Sequence, residues 1–382
     1  MKSRPSLLRP AIFVLLCANL AQAANPPLGR EADPRPKGED DQITRIVDMA
    51  VEKVKKDYPA GTLARRDAHP KAHGCVVGEF KVESKLLPDF VGEKGLGIFT
   101  PGDSFPAIIR YSNGNPKDQA DKEGDGRGMA VKLINAARGR PTALNDAKET
   151  SQDFIMINHP RFFLDGVSEY VGFNAAANGL TLGGLKLYLA HHWFIFGRIL
   201  ELASEKVTNP LQAKYYSMVP YQLGPDSAPI AVKYAAFPVA CANSVLAAPT
   251  PKSDRRDFLR EALRESLDPQ VGKASCFEFL VQKQTDADTM PVEKASVRWD
   301  ESASPFKKVA TLTIRPQSFE QNQRACENLS YNPWHALAVH KPLGGLNRTR
   351  KAVYEAVSRT RHQLNQEVQA EPTTLENFPP AP

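Results

Sequence analysis

Eight short runs rich in β-branched and aromatic residues, most of them alternating apolar with polar, are spread along the chain. They occupy 75–82, 106–113, 128–135, 151–158, 230–239, 276–284, 294–300 and 308–316. Gly, Asn, Asp or Pro bound them, as strand ends require. Eight antiparallel strands suffice to close a barrel whose interior either fills with side chains or holds one ligand. The expected fold class is therefore α+β: an eight-stranded antiparallel β-barrel with helical inserts and a C-terminal helical segment.

Helical spacing frames the barrel. Ile43, Ile46, Val47, Val51 and Val54 recur on one helix face, and Tyr58-Pro59 ends that helix. Two inserts, 180–207 and 253–267, read as helical. The first is strongly apolar but interrupted by Gly183, Gly184, Lys186 and His191-His192, so a core helix is favoured over a membrane-surface segment. Further helices are expected over 318–331 and 347–366. The Pro-rich, charged stretch 24–41 reads as an extended arm before a domain spanning 42–366, with a disordered tail over 367–382.

Residues 1–23 have the pattern of a cleaved secretory signal. Lys2, Arg4 and Arg9 precede a short apolar run, and Ala21-Gln22-Ala23 closes it. The run is too short to span a bilayer, so an exported, periplasmic protein with no transmembrane span is expected. Losing three bases and no acids takes the net charge from +6 to about +3. That charge is too mild for a nucleic-acid partner, and no interleaved basic and aromatic patch is present. Cys75, Cys241, Cys276 and Cys326 remain, which allows one or two disulfides in an exported chain. Without a CxxC pair, a zinc or thioredoxin-type site is disfavoured.

"RRDAHPKAHGCVVGEF" (65–80) places His69 and His73 four apart, but Pro70 and Gly74 argue against the helix that would aim both at one metal. Read together, three stretches resemble the catalase family: "RRDAHPKAHGCVVGEFKV" (65–82), "IRYSNGNPKDQADKEGDGRGMAVKL" (109–133) and "DFIMINHPRFF" (153–163). Their order and approximate spacing match over residues 60 to 165. "SYNPWHALAVHKPLGGLNRTR" (330–350) is a looser match to that family's proximal segment. The nearest relatives implied are short, exported, catalase-related peroxidases.

The resemblance implies a heme b cofactor and a peroxide substrate, either hydrogen peroxide or an organic hydroperoxide, with a small-molecule reductant. It implies His69 as general acid and base, Asn158 as the group that holds the peroxide, and Ser112 as the partner fixing the imidazole tautomer. Arg66 and Arg110 match arginines that bind the heme propionates. For the iron's proximal ligand two residues compete: Tyr331, at the end of a helix, and His335. In the family an Arg lies four residues before the proximal Tyr, whereas Glu327 occupies that place before Tyr331. The alternative is a non-catalytic barrel that binds heme or a lipid. An oligomer is compatible with either reading.

Overall fold

In the computed structural model the described residues run from 26 to 378, apart from 87–94, 147, 180–181, 243–249 and 251. The signal-like segment falls outside them. The chain begins with a helix, α1 (Glu39–Asp57), whose first turn carries Glu39, Asp40 and Asp41 and whose last carries Lys55 and Lys56. That charge order complements the helix dipole. The stretch read as an extended arm thus becomes helical from Glu39.

Among the described residues, nine strands form one antiparallel sheet: β1 (Ala72–Val82), β2 (Ser104–Asn113), β3 (Arg127–Leu133), β4 (Gln152–Ile157), β5 (Tyr215–Tyr216), β6 (Tyr221–Leu223), β7 (Ile230–Val239), β8 (Ser275–Lys283) and β9 (Lys307–Ile314). Their order is β5-β4-β3-β2-β1-β9-β8-β7-β6, and β5 also pairs with β7. That pairing closes an eight-stranded barrel, with β6 flanking β7 outside the ring. Seven of the eight strands expected from sequence are present. The eighth, 294–300, is not a strand: it turns against Met290, Val292 and Ala231 through Trp299, and Gln282 donates to the Trp299 carbonyl at 3.3 Å. Its place in the ring belongs to Tyr215–Tyr216, which is too short to leave a periodic signal.

Alternation decides which face does what. Phe80, Phe154, Tyr234 and Phe279 point inward, and their rings fill the barrel at centroid separations of 4.6 to 5.7 Å. The interior is packed side chain, so polar chemistry belongs outside. Ile108, Arg110 and Ser112 on β2, Gly128, Ala130 and Lys132 on β3, and Asp153 and Ile155 on β4 are the alternate, outward residues.

Helices cover this outer wall: α2 (Val167–Gly179), α3 (Leu182–His191), α4 (Trp193–Ser204), α5 (Phe258–Ser266), α6 (Gln323–Asn328) and α7 (Gly345–Asn365). α1 buries Ile46, Ala50 and Val54 against Val353 and Val357 of α7 and Val167 of α2. α2 has no sequence signature, because its apolar residues lie on every side. The helix expected over 318–331 contracts to a 3-10 turn and α6, which a Cys75–Cys326 disulfide ties to β1. A second disulfide joins Cys241 and Cys276. The tail expected to be disordered packs on the barrel as far as it is described: Glu371 lies 2.6 Å from Lys132 Nζ, and Phe378 is buried. No helix among the described residues is long and apolar enough to cross a membrane.

Candidate active site

His69 enters β1 in a left-handed backbone conformation, φ 59°. Such a conformation costs a non-glycine residue about 1–3 kcal/mol and persists only where the surroundings over-determine it. Here they do. The His69 amide donates to the Gly114 carbonyl at 3.4 Å, and Arg110 Nη2 donates to the His69 carbonyl at 2.9 Å. Nδ1 of the ring is 3.0 Å from Ser112 Oγ. Gly128 lies beneath this pair: a Cβ there would come within 2.7 Å of both Nδ1 and Ser112 Oγ. Only glycine lets the imidazole rest on β3. Burial, then the charges of Arg110, Arg66 and Arg350, pushes the imidazole pKa down to about 3. The ring is therefore neutral near pH 7, with Nδ1 engaged by Ser112 and Nε2 as its other nitrogen.

The predicted arginines come together around one carboxylate. Arg66 Nη1 is 3.1 Å from Glu327, and Arg110 Nη2 is 3.6 Å from it. Arg361, from α7, donates to the Glu327 and Leu329 carbonyls. Burial opposes the Glu327 charge, yet Arg110 and Arg66 hold its pKa below the ordinary value. The arginines show the opposite effect: burial, then Arg66, lowers Arg110 to about 10 and Arg361 to about 9. Glu327 faces all three guanidiniums and Glu367 acts on Arg361 as well, which leaves positive charge in excess here, and the buried Nε of Arg110 has no hydrogen-bond partner.

Asn158 is buried at the end of β4. Its Oδ1 accepts from the Arg127 amide at 2.6 Å, and its Nδ2 donates to Glu205 at 3.0 Å. One Nδ2 hydrogen is left, next to the strand that carries Gly128. Arg127 itself binds the Asp121 and Glu123 carbonyls, fixing the loop before β3. His73 is fully buried with Nε2 2.9 Å from Asn113 Oδ1, and burial lowers its pKa to about 4.

Both expected proximal residues are engaged by partners elsewhere in the fold. Tyr331 sits in an apolar cluster with Cys75, Ile108, Cys326 and Phe378, and its hydroxyl donates to the Ile108 carbonyl at 3.3 Å. Burial and the neighbouring Asp153 raise its pKa, disfavouring a phenolate. His335 lies in a buried ionic cluster, 3.2 Å from Asp153 and 3.3 Å from Glu149. Glu149, His335 and Glu371 offer the donor set of a cation site. Lys132 already supplies the cation there, with Nζ 2.6 Å from Glu371 and 2.9 Å from Asp153.

The pattern sought around Tyr331 occurs instead on α7. Arg350 precedes Tyr354 by four residues and Arg361 follows it by seven, which puts all three on one helical face. Arg350 is close enough for its charge to act on His69. Burial opposes the Arg350 charge, but the phenols of Tyr221 and Tyr354 raise its pKa, and Tyr354 shares a hydrogen bond with it. Nη1 of Arg350 also donates to Asn347 Oδ1 at 2.9 Å. Tyr354, Arg350 and Arg361 lie outside the sequence expectation: "SY" at 330–331 resembles the family's proximal ending, whereas the Arg-x-x-x-Tyr spacing 20 residues later stands within an ordinary helical pattern.

This arrangement, a histidine on the outer barrel wall facing a helix, can be compared with solved structures. A fungal catalase aligns with 79% of this chain and 60% of its own at a TM-score of 0.62 and 16% identity. Catalase A from Saccharomyces cerevisiae aligns with 81% and 64% at 0.63 and 16%. The fold is that of a catalase. A bacterial catalase gives the same result at 0.59, 16% identity, 79% of this chain and 58% of its own. This chain thus spans about three-fifths of the length of the catalases it matches. No family model matches the chain, and no curated protein sequence does.

The residues present fit a heme. The excess positive charge at Arg66, Arg110 and Arg361 suits propionates, and a phenol with an arginine beside it suits an iron(III) ligand.

Proposed function

We propose that this protein is a heme-dependent, catalase-related peroxidase acting on hydrogen peroxide or an organic hydroperoxide. The observation that carries the reading is a neutral, Ser112-held His69 within reach of the charge of Arg350, which shares a hydrogen bond with Tyr354 on α7. Bound heme supplies the redox iron that peroxide cleavage requires and that no side chain here offers. His69 Nε2 takes the proton from the incoming peroxide and returns it to the departing oxygen. Ser112, at Nδ1, keeps that nitrogen from competing. Tyr354 Oη would hold the heme iron, with Arg350 favouring its phenolate. Arg66, Arg110 and Arg361 hold the two carboxylates, and Asn158 offers its remaining N–H to the substrate.

A carrier would have no use for an acid-base pair, and the barrel interior is already filled by aromatic rings. Export to the periplasm is part of the same proposal: the two disulfides support an oxidising compartment. Titration with hemin tests the reading. We expect about one heme per chain, a stable Soret band and peroxide turnover. A protein that takes up no heme would end it.

A further inference from the structure

Three lysines among the described residues are buried: Lys71, Lys132 and Lys233. Two of them lie against carboxylates. Lys71 Nζ is 2.6 Å from Asp121, and Lys132 Nζ is 2.9 Å from Asp153. Lys233, 3% exposed, has no carboxylate partner among the described residues. Val232 and Tyr234 belong to the barrel interior, so Lys233, between them on β7, points outward. There the segment 297–306 roofs it. Gln282, its neighbour across the β7–β8 ladder, pins that roof by donating to the Trp299 and Ser304 carbonyls at 3.3 and 2.9 Å. Lys233 Nζ donates to the Val297 carbonyl at 3.2 Å and lies 4.9 Å from the centre of the Trp299 ring.

Burial pushes the pKa of this amine down to about 7. The charged and titratable groups around it do nothing to restore the charge. Arg298 and Glu301, whose side chains reach solvent, pair with each other at 2.8 Å. Tyr216 and Tyr234 are phenols that burial keeps protonated. At pH 7 about half of the Lys233 amines therefore carry a free lone pair, against on the order of one in 10³ for an ordinary lysine. A second group is unsatisfied as well: the buried Trp299 Nε1–H has no acceptor among the described residues. Both residues line one cavity, walled by Tyr216, Met218 and Phe306. It leaves about 10 Å³ to a water-sized centre, so it holds one very small molecule.

A nucleophilic amine and a donor without an acceptor, in a cavity this small, suit an electrophile of few atoms that becomes an acceptor on reaction. We propose that Lys233 is a carbon dioxide site, where the amine is reversibly converted to a carbamate. The Nζ lone pair forms the C–N bond, one C=O electron pair moves onto oxygen, and the nitrogen loses a proton to solvent. Lysine and carbon dioxide thus give a lysine carbamate and a proton, and nothing is oxidised or reduced. A carbamate oxygen accepts from Trp299 Nε1–H, and Arg298 supplies positive charge at the mouth of the cavity. Aromatic and aliphatic walls admit a neutral gas without the desolvation cost that bicarbonate carries. A water would satisfy the indole but leave the amine unreacted. The site is on the β7 side of the barrel and needs no assumption about heme.

The test is carbon NMR of the purified protein under isotopically labelled carbon dioxide. At fixed gas pressure a carbamate resonance should grow from pH 6 to pH 8, as the amine loses its proton. Lys233→Met keeps the bulk of the side chain without the amine. It should lack that resonance while its circular dichroism stays that of the parent, and any signal from the α-amino group should remain. Trp299→Phe keeps the amine and removes the donor. It should need about tenfold more carbon dioxide for half-occupancy, the effect of losing one hydrogen bond to a charged acceptor. Identical spectra of the parent and Lys233→Met overturn the proposal, because the cavity would then hold water alone. Half-occupancy of Trp299→Phe at the parent's pressure also overturns it, since the indole would have no part in the site. Should Trp299→Phe fail to fold, the comparison with Lys233→Met still decides.

Discussion

His69 meets two requirements of a general base: its ring is neutral, and one nitrogen is committed so that the other can work. With a pKa near 3, it stays unprotonated as the solution is acidified. Peroxide kcat/KM should therefore hold level from pH 8 to about 5 in stopped-flow assays, and a midpoint near 6.5, the ordinary imidazole value, would contradict the burial that sets it. His69→Ala should keep its heme and lose about 10²–10⁴-fold in turnover. His73→Ala should instead lower the thermal midpoint, because that ring is buried against Asn113. Tyr354→Phe should abolish the phenolate-to-iron absorption and most activity, while Tyr331→Phe leaves both. The reverse outcome would return the ligand to Tyr331. His69, Ser112, Arg66 and Arg110 were named through the order and spacing of the catalase-like stretches, and the structure brings His69 to Ser112 and both arginines to Glu327. Arg350, Tyr354 and Arg361 obey an equally simple helical spacing, but nothing local says which of two tyrosines a tertiary fold will turn toward the barrel.

Among the elements, β3 sets the position of the catalytic ring. Gly128 is the only outward residue on that strand without a side chain, and His69 occupies the room this leaves. Gly128→Ala should fold, since β3 tolerates alanine in its pleat, yet push the imidazole aside. A displacement of about 1 Å can cost on the order of 10²-fold in rate. Heme content and turnover measured on the same sample separate displacement from misfolding. The strands were largely readable, because alternation survives in any half-buried sheet. Tyr215–Tyr216 and 294–300 were not. The first pairs through two residues only, and the second has strand composition, but its Trp299 carbonyl accepts from the Gln282 side chain on β8 and not from a neighbouring strand's backbone. The helix expected over 318–331 is realised only as a 3-10 turn over Glu320–Asn322 followed by α6, which carries Cys326 to its disulfide with Cys75.

On the scale of the whole molecule, one buried ionic cluster joins β3, β4, the segment after α6 and the tail. Burial and Lys132 oppose protonation of His335, but Asp153 and Glu371 prevail and raise its pKa. The stability it adds is complete below its unfolded value of 6.5 and is lost as pH rises through the higher folded value. The difference in thermal midpoint between the parent protein and His335→Gln should accordingly shrink from pH 6 to pH 9. A constant difference would mean that the ring serves by shape alone. The same long-range ties govern the order in which the chain can become a protein. β1 pairs with β9, Cys75 with Cys326, and Lys132 with Glu371. The first three hundred residues alone lack β9, Cys326 and Glu371, so β1, Cys75 and Lys132 each miss that partner and the ring of strands has a gap. On the export reading proposed above, that late closure keeps the chain in the open form that a secretion channel accepts.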